Sequence, residues 1–350
     1  MDERLILLSS LCNAFGPSGC EDNVALLINK NINGLCDSVK TDKLGNVIAV
    51  YKGTETSGRR LMISAHMDEV GFMVTHIDDD GYIYFCPVGG IDPRVICGRR
   101  VTFGNEAKKI TGIVASKAIH QLSDSERREA TPTDKMYVDI GSANKEETEK
   151  YVMPGDFGTF DSDFILYGEK MMRAKALDDR FGCGVMIEVL RKLNEEAYRP
   201  EFDLYCAFTT REEVGRAGAI TAAYSVSPDI AIILEATAVA DTADIPKNST
   251  VADTGEGPVL TLIDNGTIYD RGLIDFALET AGKYKIKCQI KRFISGSNDA
   301  AHIQRSGAGV RVCALSAPCR YTHTPSTVIS TDDYFSAIDL IYNMVRDIKF

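Results

Sequence analysis

With 350 residues, 44% hydrophobic and 25% charged, the chain can bury a full core and has the balance of an ordinary folded protein. Lys plus Arg number 39 against 50 Asp plus Glu, a formal charge of −11 that argues against gripping a nucleic-acid backbone. No apolar stretch of ~18 residues occurs, so no membrane span is expected. Ten cysteines without a CxxC pair read as small buried apolar residues in a reducing, cytoplasmic compartment.

The opening MDERLILLSSLCNAFG reads as an amphipathic helix and not a signal peptide, because acids precede the apolar run. Short helices are expected at 3–14 and 21–32, then a hairpin turning at LGN (44–46) into a strand at 47–51. LMISA at 61–65 is a continuous apolar run, the pattern of a strand buried on both faces, and it ends in HMDEVG. From about 72 to 165, short alternating strands between Gly, Asp and Pro turns predict a small β-barrel with a polar loop at 120–135. Helices are then expected at 179–193, 270–282, 299–305 and 332–348, and strands at 202–210, 229–236, 258–264, 285–292 and 309–315. The rhythm predicts an α/β fold with a mixed, mostly parallel sheet flanked by helices. Residues 1–71 and 166–350 are expected to form the larger domain and 72–165 the inserted barrel.

Five histidines occur, at 66, 76, 120, 302 and 323. His66 directly follows the buried strand, and in open α/β sheets sites form beyond the carboxyl ends of strands. TTREEVG puts Glu212 and Glu213 after another strand, adjacent charges that are costly without a cation nearby. Glu235 ends the apolar run AIIL, and ALDDRFG sets Asp178 and Asp179 at a helix start, where acids also serve as caps. RYTHTP places His323 in a Pro-bounded turn. Singly these have dull explanations as caps, solvated acids or turn residues. Together, two imidazoles and several carboxylates suit a borderline metal such as Zn²⁺ or Co²⁺, and such a set around two ions can activate a shared water.

AHMDEVGFMV, ALDDRFG, TTREEVGRAGA, LEATAVAD and RYTHTPSTVIS resemble, in this order, the signature segments of the M42 metallo-aminopeptidases. That family includes glutamyl and deblocking aminopeptidases and proteins labelled endoglucanase M. The resemblance covers nearly the whole chain. It implies two divalent ions per subunit, Zn²⁺ or Co²⁺ with Mn²⁺ also acceptable, bridged by Asp178. His66 and Glu235 would complete one site, Glu213 and His323 the other. Glu212 would be the general base and Asp68 would orient His66. The Asp178–Asp179 peptide would be cis. Glu235 departs from the archaeal pattern, where Asp is frequent, which bears on the contact with the substrate amine.

The implied activity is removal of N-terminal residues from short peptides. The barrel would pair subunits into dimers, which commonly build a tetrahedral dodecamer. The loop ISGSNDAAHIQ at 294–304 is similar to the family's substrate-facing loop, and His120 begins a segment able to reach a neighbouring subunit. The alternative is an endo-1,4-β-glucanase-type glycosidase, which needs two spaced carboxylates. It would leave the histidines idle, and the chain has no Trp to stack on sugars.

Overall fold

The computed structural model describes residues 1–54, 58–105, 108–243 and 245–350. Helices α1 (Glu3–Asn13) and α2 (Asp22–Ile32) open the chain, followed by β1 (Ser38–Thr41), β2 (Val47–Tyr51) and β3 (Arg60–His66). The Asp2 carboxylate caps α1 by accepting the N–H of Arg4. Next come β4 (Gly71–Ile77), β5 (Ile83–Val88), β6 (Arg100–Asn105), β7 (Lys108–Ala115), β8 (Tyr137–Asp139), the single turn α3 (Lys145–Thr148) and β9 (Phe157–Phe160). These strands close into a barrel in the order β4-β5-β8-β7-β6-β9. Its inward residues, among them Phe72, Phe85, Phe103 and Phe160, form a core of their own, with Phe72 edge-on to Phe85 and Phe160 at 5.1 and 5.0 Å.

The chain then returns through β10 (Ile165–Tyr167), β11 (Met171–Ala174), α4 (Leu177–Glu195), β12 (Asp203–Thr209), α5 (Ala217–Val226) and β13 (Ile230–Ala238). It ends with β14 (Val259–Leu260), α6 (Arg271–Tyr284), β15 (Gln289–Ile290), α7 (Ala300–Ile303), β16 (Arg311–Cys319), β17 (Thr327–Ser330) and α8 (Thr331–Asp347). The main sheet runs β1-β2-β12-β3-β13-β16-β14-β15, and β12, β3, β13 and β16 are mutually parallel at its centre. Buried on both faces, these four strands read as apolar runs, and α1, α4, α5 and α8 pack their apolar sides onto the sheet and onto one another. The fold is the α/β class expected, with a closed six-stranded barrel beside the sheet.

The structure departs from the sequence reading at the sheet's far edge. The strands expected at 258–264 and 285–292 shrink to Val259–Leu260 and Gln289–Ile290. After Leu260 the chain turns, because Asp264 Oδ1 accepts the N–H groups of Gly266 and Thr267 and breaks the ladder. The helix expected at 299–305 is the single turn Ala300–Ile303. The small sheet β10-β11-β17 was not anticipated.

Candidate metal centre

Strand ends on one edge of the sheet set the site. Parallel register aligns Thr209 of β12 with His66 of β3, so the turn after β12 brings Glu212 and Glu213 beside that imidazole. Glu235 lies on the neighbouring strand β13, level with Ser316 of β16. Asp178 and Asp179 sit at the head of α4, off helical dihedrals and joined by a cis peptide. His323 occupies the turn between β16 and β17 at φ +59°.

The Asp178 carboxylate lies between the two imidazoles. Its Oδ1 is 3.1 Å from His66 Nε2, and its Oδ2 is 3.4 Å from His323 Nε2. Glu235 Oε1 stands 3.5 Å from His66 Nε2, and Glu213 Oε1 3.2 Å from His323 Nε2. The outer ring nitrogens are held from behind. His66 Nδ1 faces the Asp68 carbonyl at 3.2 Å and the Asp68 carboxylate at 3.5 Å, and His323 Nδ1 donates to Gly90 O at 2.7 Å. That turns both Nε2 atoms inward, the orientation a ligand needs.

These spacings can be tested against a metal. Tetrahedral bonds of ~2.1 Å put neighbouring donor atoms about 3.4 Å apart, which is the range found around Asp178. His66, Asp178 and Glu213 each offer an atom within 4.8 Å of the others, and so do His66, Asp179 and Glu235. Asp179 gives one oxygen to the N–H of Gly182 at 2.9 Å, and its other oxygen is buried without a partner. Gly182 is required there, since a Cβ would sit 2.5 Å from that carboxylate. The donor set fits a borderline divalent ion.

Electrostatics point the same way. Burial pushes Glu213 up to about 7 against its hydrogen bond to His323. Burial, then the Asp178 charge, drives Glu235 well above the carboxylate range. Burial alone would depress both histidines, yet Glu235 and Asp178 hold His66 high, and Asp178 and Glu213 lift His323 to about 11. Four packed carboxylates thus share two imidazoles, a shortage of positive charge that divalent ions relieve.

The turn bearing Glu212 and Glu213 is fixed by its backbone. Thr210 N donates to Asn46 Oδ1 (2.9 Å), Arg211 N to Glu21 Oε1 (3.1 Å), Glu212 N to Asp68 Oδ1 (3.0 Å) and Glu213 N to Asp68 Oδ2 (3.1 Å). Asp68 therefore braces His66 and this turn together. Glu212 accepts Arg216 Nε at 2.6 Å. Burial raises its pKa, with the charges of His66 and Arg216 opposing.

Above the centre opens a cleft of about 530 Å³ whose wall includes Glu212, Arg216, Thr237, Asp264, Lys291 and Ser316. Ser295 to Asn298 of the 294–304 loop line it, and Asp299 is buried behind, accepting the Thr209 hydroxyl at 2.7 Å. His76 is exposed on the barrel and stacks on Tyr84, and His120 is exposed in a 3₁₀ turn. His302, on α7, is absent from the cleft wall. The sequence reading missed Glu21, Asn46, Arg216, Asp264 and Lys291. Asn46 stood in the LGN turn, where turn chemistry alone explains an Asn.

Residues 45–340 match the family model described as M42 glutamyl aminopeptidase. The lysyl aminopeptidase of Pyrococcus furiosus is 32% identical over 352 residues, covering 98% of this chain and 97% of the relative. The TET aminopeptidase of a marine-sediment thaumarchaeon superposes with a TM-score of 0.96 at 32% identity, over 100% of this chain and 97% of that one. The TET1 peptidase of Pyrococcus horikoshii, which can assemble into a tetrahedron or a large octahedral shell, gives 0.87 at 31% identity over 99% and 100%. The chain therefore belongs to the M42 glutamyl aminopeptidase family of peptide hydrolases.

Proposed function

We propose that the chain removes N-terminal residues from short peptides with two divalent ions and a glutamate base. The carrying observation is the Asp178 carboxylate, which turns one oxygen to each of two inward-facing imidazoles. His66, Asp178, Glu213, Glu235 and His323 would hold these ions, His66 and Glu235 on one side of Asp178 and Glu213 and His323 on the other. Zn²⁺, Co²⁺ and Mn²⁺ suit these donors. When bound, such ions polarise the scissile carbonyl and bring the pKa of water down to about 7.

The remaining steps belong to the chain. Glu212 takes the proton of the attacking water and returns it to the leaving amine. Its burial supports this role, since a base works best when its pKa lies near the working pH. Arg216 holds one Glu212 oxygen and keeps the carboxylate turned into the cleft. Asp68 keeps His66 in its ligating tautomer. The substrate amine docks among the acids, Glu235 included.

The residue 72–165 barrel pairs subunits in this reading, and the chain assembles as a homo-oligomer in the cytoplasm. No helix among the described residues is long and apolar enough to cross a membrane. A glycosidase reading gains nothing from the cleft, because no Phe, Tyr or Trp ring lines it among the described residues. The test is an aminoacyl-nitroanilide assay beside carboxymethyl-cellulose, with chelator and after Co²⁺ or Zn²⁺ reloading. Chelation should abolish peptidase activity and reloading restore it. Full activity in the chelated sample would overturn the reading.

A further inference from the structure

The two imidazoles of the centre are anchored in different ways. His66 sits within the ladder of the main sheet, paired with Thr209 of β12, and its side chain is 2% exposed. His323 lies outside any strand, in the turn from β16 to β17, and its side chain is 33% exposed. Two residues of that turn, Tyr321 and His323, have left-handed backbone at φ +58° and +59°. Neither is glycine, so the surroundings must hold the turn in shape.

Part of what holds it lies inside the turn. Arg320 and Val328 exchange backbone hydrogen bonds at 2.9 and 3.0 Å and close its base, and the Thr324 hydroxyl donates to Tyr321 O at 2.7 Å. Past His323, Ser162 Oγ donates to Pro325 O at 2.6 Å. Before His323, the link to the rest of the site is made by Arg320. The β13–β16 ladder has its last rung at Ala238 and Cys319, just past Glu235 and just short of the His323 turn. One step further Val239 N donates to Cys319 O at 3.0 Å, and then a side-chain pair takes over. Arg320 gives Nε to Asp241 Oδ1 at 2.7 Å and Nη2 to Asp241 Oδ2 at 2.9 Å, a two-pronged match of guanidinium and carboxylate. Thr254 N also donates to Asp241 Oδ2, at 3.0 Å. Burial would raise Asp241, yet Arg320 and the Thr254 amide hold it below the usual carboxylate range.

Resting on the two-ion reading, we infer that Asp241 and Arg320 are a positioning pair for His323, and that they set how tightly the His323–Glu213 side of the centre holds its ion. The pair joins the stretch that follows Glu235 to the stretch that presents His323, so losing it lets the base of the turn shift against the sheet. The contact of His323 Nδ1 with Gly90 O fixes the ring but not the backbone that carries it. Glu213 keeps its place through Asp68, and His66 and Glu235 keep theirs in the sheet. A loosened His323 therefore weakens one ion and leaves the other.

The experiment titrates the metal-free full chain with Zn²⁺ by calorimetry and counts bound ions by elemental analysis after dialysis. Wild type should bind two ions. Arg320→Met and Asp241→Asn should keep one at wild-type affinity and weaken the other roughly 10- to 100-fold, the scale of losing a group that orients a ligand. The double variant should be no weaker than either single, because both remove the same tie, and Arg320→Lys should recover part of the affinity. Arg311 supplies the control. It makes the same two-pronged contact with Asp270, at 3.0 and 3.1 Å, at the opposite end of β16, so Arg311→Met should leave both affinities unchanged. If Arg320→Met does not fold, Asp241→Asn carries the test, since its amide keeps the shape and one acceptor. Two ions weakened alike, neither weakened, additive losses in the double variant, or the same loss in Arg311→Met would overturn the inference and leave the two-ion reading standing. A wild type that binds fewer than two ions overturns that reading, and this inference with it.

Discussion

Glu212 and Glu213 are sequence neighbours with different surroundings, and the difference assigns their work. Glu213 faces His323 at 3.2 Å, whereas Glu212 pairs with Arg216 and stands clear of both imidazoles' hydrogen bonds. Glu212→Gln should therefore keep the fold and the metal content, checked by thermal melting and elemental analysis, while kcat falls by ~10²–10⁴. A loss of bound metal equal to the loss of rate would show Glu212 acting as a ligand. Glu21 yields a separate prediction. Burial, then the nearby Asp68 charge, raises its pKa from 4.5 to about 7. The folded chain thus holds this proton more tightly than the unfolded one, so its contribution to stability is full below pH 4.5 and lost as pH rises toward 7. Glu21→Gln keeps an acceptor for Gly19 and Arg211 but cannot ionise, so its melting temperature relative to wild type should climb between pH 5 and pH 8. A pH-independent difference would show that Glu21 does not titrate in this range. The ligand candidates His66, Asp178, Glu213 and Glu235 stood out because each follows an apolar run or opens a helix, where an acid or imidazole is conspicuous, and His323 because it lies in a Pro-bounded turn. Glu21 was not, since its partner Arg211 is 190 residues away and nothing local marks the pairing.

At the scale of elements, the site depends on the turn after β12 and its three braces. Asn46 is fully buried and does more than cap one N–H. Its amide also donates to Gly218 O at 2.9 Å and Thr221 Oγ1 at 2.8 Å, tying the β1–β2 turn to α5. Gly218 allows that approach, because a Cβ there would collide with the Thr210 backbone and the Asn46 amide. Asn46→Ala should cost about 1–3 kcal/mol for each buried group left unpaired. It should also lower kcat, as the turn bearing Glu212 and Glu213 loosens, with denaturant unfolding and metal titration reading the two effects. The central strands were readable as apolar runs, and the ends of β3, β12 and β13 fall within two residues of those expected, whereas β16 runs on to Cys319, past the expected end at 315. The outer strands β14 and β15 were overextended, because a hydrophobic run such as GPVLTLI does not reveal that Asp264 will capture two backbone N–H groups and turn the chain.

At the scale of the whole molecule, two hydrophobic cores must be held in one orientation, and Glu69 stands between them. It follows the His66 segment and leads into β4. It accepts Lys175 Nζ at 2.5 Å, Arg180 Nη2 at 3.4 Å and the hydroxyl of Thr159 on barrel strand β9 at 2.8 Å. All three charged groups are buried. Removing one partner of a buried ion pair strands the others, so Glu69→Ala should destabilise the chain by about 3–5 kcal/mol. Glu69→Gln should cost less, since it keeps the contacts with Thr159 and the amide of Gly16. The barrel's insertion was visible as a change from helical to alternating texture, but the Glu69 junction was not, because its partners Thr159, Lys175 and Arg180 lie 90, 106 and 111 residues away along the chain. Assembly is the last property at this scale. Exposed apolar side chains stand at Tyr151 and Met153 before β9 and at Ile165, Leu166 and Tyr167 along β10, the edge strand of the small sheet. Edge strands with apolar side chains are unstable surfaces for a lone chain and good ones for a partner. Light scattering should therefore give several multiples of the single-chain mass, and Leu166→Lys with Tyr167→Lys should lower it. The metal ligands all come from one chain in this reading, so the smaller species should keep its bound metal. A wild type that is monomeric over the micromolar range would overturn the assembly prediction alone.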